Sequence, residues 1–131
     1  MRLVLAVSCL LLVTACADSA TVPTTPMDAA FTLGPGESRR IEGASLSIKF
    51  VGVFGDSRCP GDALCIQGGS AEVRIAVTSG WATDGYALHT GTMAPVEHAG
   101  LTIALVELAP YPFTFRPIAP GDYRATLRVS R

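Results

Sequence analysis

The sequence predicts an all-β fold: a single antiparallel β-sandwich of immunoglobulin-like type, with a small β-barrel as the alternative closure. Three observations carry this. From Phe31 onward apolar and polar residues alternate with period two in segment after segment, the mark of strands with one buried and one wet face. Turn signals rich in Gly and Pro separate those segments. No stretch shows a sustained helical stripe with caps. Short strands at this spacing over roughly a hundred residues amount to one domain, covering residues 31–131.

The elements follow in order. Leu46, Ile48 and Phe50 alternate with Ser47 and Lys49, and continuation through Val51 and Val53 makes Gly52 a bend or bulge. Ala71, Val73, Ile75 and Val77 alternate with Glu72, Arg74 and Thr78, giving one clean inward face. Shorter apolar runs lie at Tyr86 to Leu88 and Leu101 to Leu108. Tyr123, Ala125, Leu127 and Val129 close the pattern against Arg124, Thr126, Arg128 and Ser130. Turns are expected at Gly34-Pro35-Gly36, Gly68-Gly69, Asp84-Gly85 and Pro120-Gly121-Asp122.

Upstream of the sandwich, Arg2 leads an apolar run from Leu3 to Val13 that ends in Val13-Thr14-Ala15-Cys16. A basic start, an apolar core and small residues before a cut read as an export signal. The run is too short to span a bilayer, which takes about 20 apolar residues. It resembles a bacterial lipoprotein signal with its lipobox. The resemblance implies that residues 1–15 are removed and that the Cys16 thiol takes a diacylglyceryl group as the first residue of the mature chain. Acyl chains worth about 0.8 kcal/mol per buried CH₂ would then hold the protein at a membrane without a spanning helix. Residues 16–30, polar and aperiodic with two prolines, are expected to be the lipidated cysteine and a tether that holds the domain off the surface. In many such lipoproteins an aspartate directly after the cysteine goes with inner-membrane retention. Here that place is Ala17, which points to the periplasmic face of the outer membrane. The alternative is a secreted soluble protein cleaved nearby.

Without Arg2 the chain keeps nine Lys plus Arg against eleven Asp plus Glu, a formal balance of −2 without long runs of either sign. Arg39 and Arg40 form only a pair. This excludes a nucleic-acid partner, which needs a basic patch or stripe.

Cys9 falls in the signal and Cys16 is the lipidation site, which leaves Cys59 and Cys65 as an even pair in an oxidising space. Such a pair reads as a disulfide, closing a tight loop worth about 2 kcal/mol in the chain-entropy picture. A redox pair would have two intervening residues and begin a helix. His89 and His98 stand at no ligand-like spacing to these thiols, so no metal site is expected.

The stretch from Phe54 to Gly69 contains Asp56-Ser57-Arg58-Cys59-Pro60 and then Cys65. Here the chain resembles a group of small uncharacterised bacterial lipoproteins and exported domains that carry Asp-Ser-Arg-Cys-Pro, a second cysteine and a nearby glycine leading into a strand. The likeness extends to Leu108-Ala109-Pro110-Tyr111-Pro112 and the closing Asp122-Tyr123 strand. Gln67 stands where members often have a tryptophan. The resemblance implies fold and location and brings no settled activity.

Read from its residues, this stretch is a rigid corner. Asp56 and Ser57 can bond the turn backbone, Arg58 can reach a carboxylate or carbonyls, Pro60 limits the loop, and Gly68 or Gly69 permits unusual torsions. Its functional version presents Asp62, Leu64 and Gln67 as a partner-binding surface kept rigid by the bridge, which lowers the entropy cost of docking. Trp81 is expected to cap the end of the core rather than meet a partner or glycan. Tyr111, Pro112, Phe113 and Phe115 are expected to fold back over the sandwich rather than form an interaction patch.

Catalytic motifs are missing from the sequence: no Gly-x-Ser-x-Gly elbow, no His-Glu-x-x-His and no phosphate-binding glycine loop. Nor does either histidine come with an obvious nucleophile. The sequence thus points to a membrane-anchored envelope module, non-catalytic and without a cofactor, that binds an envelope protein partner or gives structural support. The competing expectation is a small-ligand, cation-binding or hydrolytic domain built from turn carboxylates such as Asp56, Asp62, Asp84 and Glu107, with calcium as the most plausible cation.

Overall fold

A computed structural model describes residues 21–131. The expected signal peptide, the lipidation site Cys16 and the first part of the tether lie outside the described residues. The fold is an all-β sandwich of two sheets that do not close into a barrel. One sheet has the order β1 (Thr24–Thr25), β3 (Ser38–Ile41), β4 (Leu46–Asp56), β5 (Ala71–Ser79), β6 (Ala82–His89). The other runs β2 (Ala30–Leu33), β9 (Arg124–Ser130), β8 (Leu101–Ala109), β7 (Val96–His98). Among the described residues the only helix is a 3-10 turn at Pro120–Asp122, and no helix is long and apolar enough to cross a membrane.

The period-two pattern is realised as two facing apolar layers. Ile41, Leu46, Ile48, Phe50, Val73, Ile75, Val77 and Leu88 come from the five-stranded sheet, and Phe31, Leu33, Ile103, Leu105, Leu127 and Val129 from its partner; all are buried. Each large aliphatic or aromatic side chain taken from water contributes about 1.5–3 kcal/mol, so one clean face per strand suffices to press the sheets together. At Gly52 the register of β4 against β5 shifts, the expected bulge. The extra residue shifts the alternation by one, so that Val53 packs against the core after Val51 has faced solvent.

Three expectations are corrected. Asp84-Gly85 is not a turn but lies inside β6, opposite Val77 and Ala76. The chain reverses instead at Gly80-Trp81, between the paired Ser79 and Ala82, where Gly80 takes φ +60°. A two-residue hairpin needs a left-handed residue, and Gly80 supplies it without a Cβ clash. Second, the sheets are not wholly antiparallel, because β1 pairs parallel with β3. Third, the tether does not extend to Ala30. Thr24 and Thr25 lie opposite Arg40 and Ile41, Met27 packs on the core, and the Asp28 N–H bonds the Val129 carbonyl at 2.8 Å. Polar composition concealed this segment because strand pairing uses backbone groups, which any sequence carries.

Successive strands from β2 to β9 alternate in direction, so the connections gather at two ends. The loop end holds the Gly34–Glu37 turn, residues 57–70, residues 90–95 and residues 110–123. The hairpin end holds residues 42–45, Gly80-Trp81, Ala99-Gly100 and Arg131. Since β1 runs parallel to β3, away from the loop end, the chain enters the sandwich from the loop end.

Candidate functional site

The loop end is built around Arg58. Its side chain is only 6 % exposed and that of Asp56 11 %, so both charges must be satisfied internally. Arg58 Nε donates to Asp56 Oδ1 at 2.9 Å and Nη2 to Oδ2 at 2.6 Å, a two-point pairing. Nη1 donates to the Leu108 carbonyl at 2.8 Å and Nη2 to the Pro110 carbonyl at 3.0 Å. The Tyr123 hydroxyl donates to Asp56 Oδ2 at 3.0 Å, and the Arg58 backbone N–H reaches Asp56 Oδ1 at 3.2 Å. The guanidinium also lies 5.6 Å from the Tyr111 ring centroid. One arginine thus ties the end of β4 to the end of β8 and the residue just beyond it, and its carboxylate partner ties both to Tyr123 at the start of β9.

Charge and burial act on the ionisable members in opposite senses. Hydrogen bonding from Arg58 holds the Asp56 carboxyl below the usual carboxylate range, against the opposing effect of burial. Burial, and then the hydrogen bond to Asp56, push the Tyr123 hydroxyl up.

Residues 57–70 hang from this knot. Ser57 and Ser70 close the loop at its base: the Ser57 N–H meets the Ser70 carbonyl at 3.0 Å, and the Ser57 hydroxyl bonds the Ser70 carbonyl at 2.9 Å and the Ser70 N–H at 3.1 Å. Gly69 is required by close approach, since a Cβ there would stand 1.4 Å from the Ser57 carbonyl oxygen. Cys59 and Cys65 form the expected disulfide. The Gly61 N–H donates to the Pro112 carbonyl at 2.9 Å, and Asp62 Oδ1 accepts the Thr114 N–H at 2.8 Å. That contact lowers the pKa of Asp62. The disulfide loop and residues 110–116 therefore form one unit.

Of the three residues expected to meet a partner, the structure places Leu64 and Gln67 in solvent and engages the Asp62 carboxylate in the tie to Thr114. At the loop end the strongest apolar exposure belongs to Leu64, Ile66 and Phe115, all essentially fully exposed, as Trp81 is at the hairpin end. Ile66 and Phe115 were not legible as contacts. Ile66 directly follows the second cysteine and stands in solvent. Phe115 was expected to cover the core, along with Tyr111, Pro112 and Phe113. Instead Tyr111 and Phe113 are exposed large hydrophobics that pack on the disulfide loop at Gly61, while Phe115 sits at φ +61° in a tight reversal where Arg116 N–H meets the Phe113 carbonyl. The core has no need of them, because Tyr123, Leu108 and Leu33 already close that end. Trp81 does not cap the core either. It projects fully exposed from the two-residue hairpin, which leaves no chain for it to fold against.

No nucleophile partner for His98 was obvious in the sequence; in the fold it bonds Ser79 Oγ through Nε2 and the Tyr86 hydroxyl through Nδ1, both at 2.8 Å. Asp84 Oδ2 stands 3.9 Å from Nδ1. In a hydrolytic triad Nδ1 is held by a carboxylate; here a phenol occupies it. His98 belongs to the second sheet and both partners to the first, so the cluster bridges the layers from the edge strand β7 to β5 and β6. The adjoining cavity of about 540 Å³ is lined by no Asp or Glu side chain. Among the described residues no three His, Cys, Asp or Glu groups gather as a possible metal site.

No protein-family model matches the chain, and neither does a curated protein or a solved structure.

Proposed function

We propose that the protein is a non-catalytic bacterial envelope module, anchored by acylated Cys16 at the periplasmic face of the outer membrane, whose contact surface is the loop end of the sandwich. The observation that carries this reading is the exposure of Leu64, Ile66 and Phe115 on loops fixed by a disulfide, a buried Asp56–Arg58 pair and the Asp62–Thr114 tie. Isolated exposed apolar residues are ordinary on protein surfaces, and it is their gathering on one tied unit that supports a contact role here. Rigidity supports the same role, because side chains already held in place lose less entropy on contact. The lipobox-like Val13-Thr14-Ala15-Cys16 supports the anchor, and Ala17 supports the outer-membrane address.

The test is the intact mass of protein extracted from its native membrane, alongside a Cys16→Ala variant. The reading requires a mature chain beginning at Cys16 with an acyl increment, and release of the variant from the membrane fraction. A mature chain of unmodified mass overturns it.

A further inference from the structure

We infer that the partner of the loop end is the phospholipid interface of the same membrane that holds the anchor, with Leu64, Ile66 and Phe115 as the inserted side chains. The inference rests on the proposed acylation of Cys16 and adds a second, protein-made attachment to it.

Topology supplies the first argument. Strand β1 runs away from the loop end, so the chain upstream of Thr24 approaches the sandwich from the side on which the disulfide loop lies. Extrapolating the β1–β3 register, Thr21 falls beside Glu37, in the turn that belongs to the loop end. Trp81, by contrast, is separated from that end by the whole of β5, nine residues or about 30 Å.

Tether length supplies the second. Five residue steps separate Cys16 from Thr21, a reach of at most about 18 Å. The rung of Glu37 and Phe50 crosses β5 at Ile75, four residues before the strand reaches Ala71 at the base of the loop end, or about 13 Å. A membrane holding the Cys16 lipid therefore lies within reach of the level at which the loops leave the sheet. It cannot be kept a long tether away from them.

Chemistry supplies the third. Leu64, Ile66 and Phe115 are fully exposed, and Tyr111 and Met93 add partly exposed apolar surface at the same end. The Arg58 charge is buried and paired, and the exposed charges on the same loops, Asp62 and Arg116, would stay at the headgroup level. The surface is thus suited to apolar insertion of a few ångströms into the headgroup and acyl boundary, where tyrosine is also at home.

The experiment uses the mature protein from its native membrane, reconstituted in phosphatidylethanolamine and phosphatidylglycerol vesicles. Trp81 is the only tryptophan, so the wild type reports the hairpin end. The double variant Trp81→Phe with Leu64→Trp reports the loop end. Tryptophan at position 64 should shift its emission to the blue in vesicles and lose at least about half its intensity to lipids brominated near the headgroup, while Trp81 should do neither. Intact mass of the same sample reads acylation separately, so a missing acyl group defeats the proposed anchor without deciding the insertion. An unshifted, unquenched tryptophan at 64 overturns the insertion whether or not the chain is acylated. A second variant, Leu64→Ser with Ile66→Ser and Phe115→Ser, should lower the vesicle partition of a Cys16→Ala chain at least about tenfold, since each side chain changes transfer by more than a CH₂ group; unchanged partition overturns it as well. Specific capture of an envelope protein by a cross-linker at Leu64, with no lipid adduct, would assign the surface to that protein instead.

Discussion

Replacing Arg58 by Ala removes the residue that joins the end of β4 to the end of β8 at the loop end. Four side-chain hydrogen bonds go with it, two to Asp56 and one each to the Leu108 and Pro110 carbonyls. The Asp56 carboxylate stays behind, nearly buried. Breaking a buried pair from one side costs about 3–5 kcal/mol. Asp56 keeps the Tyr123 hydroxyl and the backbone N–H of residue 58 as donors, which places the expected loss near the lower bound, at about 3 kcal/mol. For a domain of this size that corresponds to a melting temperature lower by about 15 °C. Urea unfolding followed by far-ultraviolet circular dichroism measures it; Trp81 is solvent-exposed in the folded state and makes a poor probe. The wild type also has an acid limb. Because the folded-state pKa of Asp56 is depressed, its contribution is complete above pH of about 4 and disappears as pH falls through the folded value. Arg58→Ala should flatten that limb. A loss below about 1 kcal/mol, the worth of an exposed ion pair, with an unchanged acid limb, would refute the view that Arg58 organises this end.

Three further outcomes follow from the same geometry. Gly69→Ala forces a Cβ against the Ser57 carbonyl and should lower stability by more than about 3 kcal/mol, whereas Gly68→Ala, with nothing within 4 Å, should cost about 1 kcal/mol or less; paired urea melts decide. Because the Tyr123 pKa is raised, its contribution is complete below pH of about 10 and is lost as pH rises through the folded value, so Tyr123→Phe should weaken the alkaline dependence of the melting temperature. His98→Ala leaves the Ser79 and Tyr86 hydroxyls without their shared partner and should cost about 2 kcal/mol, at roughly 1 kcal/mol per hydrogen bond; hydrogen exchange should then speed in β7.

Where the sequence and the structure agree, the information was carried by side chains. The alternation in Leu46 to Phe50, Ala71 to Val77 and Tyr123 to Val129 is a direct record of which face is buried, and Gly52 marks its own bulge. The disulfide was legible from the count of thiols. What remained hidden was carried by backbone groups or by distant partners. Thr24 and Thr25 pair through main-chain atoms that leave no trace in composition. Arg58 could be read as seeking a carboxylate, and it found Asp56 two residues away, but its carbonyl partners at Leu108 and Pro110 lie about fifty residues further on. The same distance explains why Phe113 and Phe115 read as core cover: their true support is the disulfide loop, with which they share no local pattern. His98 needed both sheets assembled before its partners met it.

The most direct measurement on the contact surface is photo-cross-linking in the native envelope, with the probe placed at Ile66 in one variant and at position 81 in another, and mass spectrometry of the adducts. Phospholipid adducts at Ile66 and none at position 81 are the expected result. Silence at Ile66, or equal labelling at both ends of the sandwich, would contradict a membrane-facing loop end.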